Sequence, residues 1–315
     1  MMGSGPYAVP TLRSLIASRH EVAALVTQPL RDSAARRPLP PSPMRVVAME
    51  HGLPILDPDN VNTPEACAAL SQFGAELLVV CDYGQILKPE TLQIARLGGI
   101  NLHASLLPKY RGAAPINWAI YHGDTVTGNT VLHITPSVDA GPCIAQQQLA
   151  IDPNENAVEL ETRLATLGAD LVLKSIDDLE SGHVVPLPQD PALATRARRL
   201  KKADGQIDWS RTAEQIRNQI RALVPWPKTF TNLLREGHEP MRLILDAAHV
   251  GIALDGGSHT TMKEPGATFP AADLLAVDTG AGVLLIDRVQ PAGKRVMDTA
   301  EFLRGYPIRP GDRFA

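Results

Sequence analysis

Gly99-Ile100-Asn101-Leu102-His103-Ala104-Ser105-Leu106-Leu107-Pro108-Lys109-Tyr110-Arg111-Gly112 begins as an apolar run and ends in a loop of Leu, Pro and Gly. The run predicts a short buried strand. At a period of two, Asn101 and His103 share one face of it, and Ile100 and Leu102 share the other. An amide and an imidazole side by side at the C-terminal end of a strand suit a reacting carbonyl, and that end is where ligands sit in open α/β sheets. Taken alone, the Asn-x-His pair is explained as well by two hydrogen-bonded core side chains. The loop that follows and Asp139, in Val138-Asp139-Ala140-Gly141, tip the reading towards chemistry.

Outward from this stretch the chain reads as alternating helices and strands. Residues 7–18 carry apolar positions at helical spacing, and 21–27 predict a strand. Helices follow over 45–51 and 63–73, and strands over 53–56 and 76–81. The run Leu77-Leu78-Val79-Val80 is apolar throughout, as for a strand covered on both faces. Residues 115–121 predict a helix, 129–135 and 143–151 two alternating strands, and 156–181 a long amphipathic helix. Together these predict a Rossmann-like parallel-sheet domain over residues 1–182. Residues 183–204, rich in Pro, Gln and basic side chains, read as a linker. The helix 212–221 and short β runs at 229–234, 241–246, 274–278 and 282–289, separated by Gly and Pro, predict a small β-barrel domain over 205–315.

At the other end, Gly3-x-Gly5-x-x-Ala8 lacks the preceding strand that a dinucleotide fingerprint needs, so it reads as a tight strand-to-helix turn. A sheet wound this way expects a strand ahead of that turn. The expectation is that the natural start lies a few codons upstream and adds a short apolar strand.

Composition narrows the function classes. The chain has 315 residues, 44% hydrophobic and 20% charged, enough for two cored domains. A net charge of −4 is not that of a protein coated for nucleic acid. RNA contact would have to come from local patches. Two exist: Arg36-Arg37 within a Pro-rich loop over 28–43, and Arg198, Arg199, Lys201 and Lys202 within 196–202. Each reads equally as a solvated loop or as a binding surface. The 3 cysteines form no Cys-x-x-Cys pair, which suits free thiols in a reducing cytosol. No metal-ligand spacing is present, and no apolar run spans a bilayer. The expectation is a cytoplasmic monomer without a metal and without membrane association.

The segment NLHASLLPKYRGAAP resembles the signature of the folate-dependent formyltransferases. In the same order downstream come Thr127-Gly128, Val138-Asp139-Ala140-Gly141, Gln206-Ile207-Asp208-Trp209-Ser210, Pro225-Trp226-Pro227 and Gln290-Pro291-Ala292-Gly293-Lys294. The last of these, with the Asp-Trp-Ser segment, is similar to the members that act on transfer RNA. The resemblance implies that the barrel over 205–315 is OB-like. It also implies 10-formyltetrahydrofolate as co-substrate and initiator methionyl-tRNA as partner. It implies Asn101, His103 and Asp139 as the catalytic set. Ser105, Leu106, Leu107 and Pro108, with Gln85, Ile86 and Leu87 in the loop after the strand 76–81, would contact the folate. Arg36, Arg37 and the 198–202 patch would meet the tRNA. Family members also carry a hydrophobic first strand that this sequence lacks.

Formyl transfer moves a one-carbon acyl group from a folate nitrogen to an amine, so an oxyanion must be stabilised and a proton removed. Asn101 can donate to the formyl oxygen, His103 can donate or manage protons, and Asp139 can orient His103. A nucleophilic mechanism fits less well, because Ser105 lacks a Gly-x-Ser-x-Gly elbow. An acceptor that is a nucleotide-linked amino sugar stays open, as does a binding module without activity.

Overall fold

The computed structural model describes residues 1–30, 41–251, 264–271 and 273–315. Arg36 and Arg37 lie outside the described residues. The chain divides into two compact units, residues 1–115, 126–150 and 159–198 in the first, and 116–125, 151–158 and 199–315 in the second.

In the first unit, parallel pairing joins Leu25–Val26 to Ile55–Leu56 and Leu78–Val80 to Gly99–His103. Met2 bridges Val26 and Val80 at once, also in parallel, so the first residues lie between those two strands. The second half of the sheet is antiparallel: Gly99–His103 pairs with Val126–His133, which pairs with Cys143–Ala150. The expected parallel sheet is therefore parallel on one side and closed by a hairpin on the other. The strands expected over 21–27 and 53–56 pair over two residues each. A cavity of about 530 Å³ lies beside Met1, walled by residues such as Ala24, Val26, Leu70, Leu78 and Leu179. The Met1 ammonium donates to Ala24 O at 3.0 Å, and burial lowers its pKa to about 6.

Local sequence explains the helices. Thr63 accepts a hydrogen bond from Ala66 N at the start of Pro64–Ser71, with proline in the first turn, where its missing N–H costs nothing. Ser42 does the same for Pro43–Glu50. The long helix Ala157–Glu180 buries Leu160, Leu164, Ala165, Ala169 and Val172. Its Gly168 admits Leu102, since a Cβ there would stand 2.7 Å from Leu102 Cδ2. The helix thus packs against Leu102, on the face of the central strand opposite Asn101 and His103.

The second unit is a nearly closed antiparallel barrel. Its strands run in the order Thr268–Ala271, Leu274–Asp278, Val283–Pro291, Met241–Val250, Thr229–Leu234 and Arg313–Phe314. The two ends of this path meet where Ala267 bridges Arg313 and Thr268 Oγ1 donates to Asp312 O at 2.7 Å. Closure removes the edges that an open sheet would expose. The helix Ala213–Ala222 starts at a Thr212/Gln215 capping box and drives Ile216 and Ile220 into the barrel core with Leu245, Leu275 and Ile286. Trp209 of the Asp-Trp-Ser segment donates its indole N–H to Thr231 Oγ1 at 3.0 Å.

Residues 183–204, expected to be a linker, carry structure of their own. Leu187 pairs with Cys143 and Arg196–Ala197 runs parallel to Arg111–Gly112. Sequence reading missed these pairings because they are two residues long or less.

At the end of the strand Leu78–Val80, Asp82 adopts φ 48°. Its residue surface is largely open, but its carboxyl end is crowded: a Cβ at Gly5 would stand 1.6 Å from Asp82 Oδ2. Loss of water there raises its pKa from 3.8 to about 6. A carboxyl raised on folding favours the folded state below its unfolded value, and that advantage is lost as pH rises through the folded value. Asp82→Asn keeps a side chain that tolerates the left-handed backbone. Because much of the charge is screened, it should raise the melting midpoint at pH 8 by only roughly 1–3 °C and leave it unchanged at pH 4. Calorimetry at the two pH values checks this.

Candidate active site

The strand Gly99–His103 delivers Asn101 and His103 to one face, and the loop between Val126–His133 and Cys143–Ala150 brings Asp139 to them. Asn101 Nδ2 donates to Asp139 Oδ1 at 3.3 Å. Gly112 N donates to Asp139 Oδ2 at 2.9 Å, and the same oxygen lies 3.6 Å from His103 Nδ1. His103 is buried and Asp139 nearly so, with side-chain exposures of 6% and 14%. Residues far apart in sequence are thus gathered around one carboxylate.

The proton positions on His103 follow from its partners. Nε2 lies 2.9 Å from Tyr110 O, and a carbonyl only accepts, so Nε2 carries a hydrogen. Nδ1 faces Asp139 Oδ2. Two strained backbones hold this arrangement. Asp139 sits at φ 50° and Tyr110 at φ 61°, in the left-handed region where side chains other than Gly are uncommon. Gly141 lets the Asp139 turn lie against the sheet, because a Cβ there would be 1.8 Å from His133 O.

The Ser105–Pro108 loop is held by one hydroxyl. Thr130 Oγ1 donates to Ser105 O at 2.7 Å. It accepts from Leu107 N at 3.1 Å and from Gln146 Nε2 at 3.0 Å. A hydroxyl has one donor and two acceptor sites, so Thr130 is saturated. Gln146 also donates to Leu107 O at 2.7 Å, and Ser105 Oγ donates to Lys109 O at 2.6 Å. With its hydroxyl engaged in this turn, Ser105 is a loop residue. Leu107 is buried, while Leu106 and Pro108 are half-buried.

The second loop, after Leu78–Val80, divides its residues. Gln85 turns its amide inward, donating to Pro58 O at 3.1 Å and accepting from Val61 N at 2.9 Å. Leu87 is 3% exposed and belongs to a core cluster with Met2, Val26 and Val80. Ile86 is 62% exposed. Arg198, Arg199, Lys201 and Lys202 are all exposed, around the turn at Lys202–Gly205. Among the described residues, the side chains that approach at metal-ligand distance are His20, Asp177 and Glu180. Arg19 pairs with both of those carboxylates, so this is a surface ion-pair group. Thr130 and Gln146 were missed in sequence because a Thr or Gln on an alternating strand carries no signal of its long-range partner.

An amide donor and an imidazole on the strand Gly99–His103 thus meet the carboxylate of Asp139. Residues 1–176 match the formyl transferase family, and residues 199–307 match the formyl transferase C-terminal domain. The chain belongs to the formyl transferase family. A methionyl-tRNA formyltransferase of Rhodopirellula baltica is 40% identical, with 99% of this chain and 95% of that protein covered. One of Geobacter sulfurreducens is 39% identical over the same shares. Among solved structures, an N-formyltransferase of Helicobacter canadensis with folinic acid and dTDP-3-aminofucose superposes with a TM-score of 0.65 at 17% identity, covering 92% of this chain and 97% of that one. HypX of Aquifex aeolicus with tetrahydrofolic acid gives 0.58 at 14% identity, covering 92% of this chain and 50% of that one. These structures share the fold.

Thr130→Val should leave Ser105 O and Leu107 N without their buried partner and cost about 1–3 kcal/mol of stability. A denaturation midpoint equal to that of the parent would show that the hydroxyl does not hold the loop.

Proposed function

We propose that this chain transfers the formyl group of 10-formyltetrahydrofolate to the α-amino group of initiator methionyl-tRNA. The observation that carries the reading is similarity at about 40% identity along nearly the whole chain, barrel included, to proteins named for that reaction. The sugar formyltransferases share the fold at 17% identity. The cytoplasm is the compartment this reading requires. Cys67, Cys81 and Cys143 are free thiols, and among the described residues no helix is long and apolar enough to cross a membrane.

The geometry supports a division of labour. The amine nitrogen attacks the formyl carbon, the carbon–N10 bond breaks, and the folate nitrogen leaves with a proton. Asn101 has a second amide hydrogen beyond the one given to Asp139, and that hydrogen serves the developing oxyanion. His103 Nδ1 and Asp139 Oδ2 face each other across 3.6 Å, a gap through which the proton lost by the amine is taken up. Ser105 to Pro108 and Ile86 would contact the folate, and Gln85 and Leu87 would shape that loop from behind.

Two arms test the function. The first supplies 10-formyltetrahydrofolate with either methionyl initiator tRNA or a nucleotide-linked amino sugar, and the expected product is formylmethionyl-tRNA alone. In the same assay, Ala at Asn101, His103 or Asp139 should lower kcat by at least about a hundredfold, with a much smaller change in folate affinity. Losses of only a few-fold would remove the assigned roles.

The second arm concerns RNA binding. Lys201 and Lys202 are exposed basic side chains that follow Arg198 and Arg199 in the sequence. Changing Lys201 and Lys202 together to Ala should raise KM for tRNA about threefold or more and flatten its salt dependence by roughly one to two units of log–log slope. An unchanged slope would take the patch off the tRNA surface. Arg36 and Arg37 are proposed as a second tRNA contact and are open to the same measurement.

A further inference from the structure

Segment 187–197 does more than cross the first unit. Its Thr195 accepts from Tyr110 N at 2.8 Å through Oγ1 and from Arg111 N at 2.9 Å through its carbonyl. Tyr110 is the residue whose carbonyl receives His103 Nε2. Eight residues beyond Gln189, Ala197 pairs with Gly112, whose N–H holds Asp139 Oδ2. A Cβ at Gly112 would stand 2.5 Å from Ala197 O, so the approach is close.

Gln189 closes this frame. Its Nε2 donates to Asp139 O and to Gly141 O, each at 2.8 Å. Its Oε1 accepts from Arg111 Nε at 3.0 Å and from the terminal nitrogen Nη2 at 2.7 Å. All four hydrogen-bonding positions of the amide are used. The orientation is forced, because a guanidinium only donates and a carbonyl only accepts. The side chain is half-buried and touches none of the three proposed catalytic side chains. It grips the backbone on both sides of Ala140, in a turn whose Asp139 holds a left-handed φ.

We propose that Gln189 is a positioning residue for formyl transfer, locking the Asp139 turn to Arg111 so that Asp139 Oδ2 stands against His103 Nδ1. This rests on the roles proposed above for Asn101, His103 and Asp139. Glutamate at this position keeps the partner of Arg111 but sets oxygen against two carbonyl oxygens. Methionine fills the space and gives up every hydrogen bond. Displacing a reacting group by a fraction of an ångström to an ångström costs on the order of ten- to a hundredfold in rate.

The experiment compares the parent, Gln189→Glu, Gln189→Met and Arg111→Met by steady-state formyl transfer from pH 6 to 9, with thermal melts of each. The parent is first offered methionyl-tRNA and the amino sugar. A parent that uses only the sugar removes the acceptor reading, and the Gln189 comparison is then made on the sugar. The expected result is a fall in kcat of about ten- to a hundredfold for both Gln189 variants. KM for the folate donor should stay within about threefold, and the acid limb of the kcat profile should move by at least roughly half a pH unit. Arg111→Met should fall in the same direction by less. A rise in KM with kcat unchanged would make Gln189 a binding residue and overturn the proposal. A loss that only tracks the folded fraction, with the pH profile of the remaining activity unaltered, would assign it to stability and overturn it as well.

Discussion

Everything at the candidate site depends on one carboxylate being held in a turn. Asp139 reaches the Asn101/His103 face only because the chain before Gly141 takes a left-handed step, and because Gly141 itself lies where no side chain fits. Once there, each carboxylate oxygen accepts a hydrogen bond, one from the Asn101 amide and one from the Gly112 backbone. Such fixed donors hold the carboxylate in one orientation. The central strand supplies the other half of the constraint. Its opposite face is sealed by Leu102 against Gly168, so Asn101 and His103 cannot exchange faces without breaking the sheet register.

The parts of this architecture that follow a period were legible in the sequence. Alternation along 99–103 places Asn101 and His103 together, and helical spacing along 156–181 predicts the long helix Ala157–Glu180. The barrel strands Thr229–Leu234 and Leu274–Asp278 stand where 229–234 and 274–278 were read. The nomination of Asp139 came from resemblance, since an Asp before Ala-Gly is an ordinary turn signal.

What escaped has a common physical character. Thr130, Gln146 and Gln189 act through side chain-to-backbone hydrogen bonds to residues remote in sequence, and no local pattern encodes the partner. The two-residue strands Arg111–Gly112 and Arg196–Ala197 are too short to show alternation. The Gln85 amide likewise ties Pro58 and Val61, partners that no local pattern announces.

The way the chain is shared between its two units carries a consequence for how such a protein can be divided. Family similarity draws one boundary, between residues 176 and 199. Compactness draws several, because residues 116–125 and 151–158 belong with the barrel while the strands between them belong with the sheet. Within the barrel unit, Arg217 bonds Pro153 O, Arg221 bonds Glu155 O, and Asn117 bonds Ala222 O. A fragment cut at residue 199 would leave those acceptors and that donor behind. The barrel unit thus draws part of its hydrogen bonding from stretches encoded between the strands of the first unit.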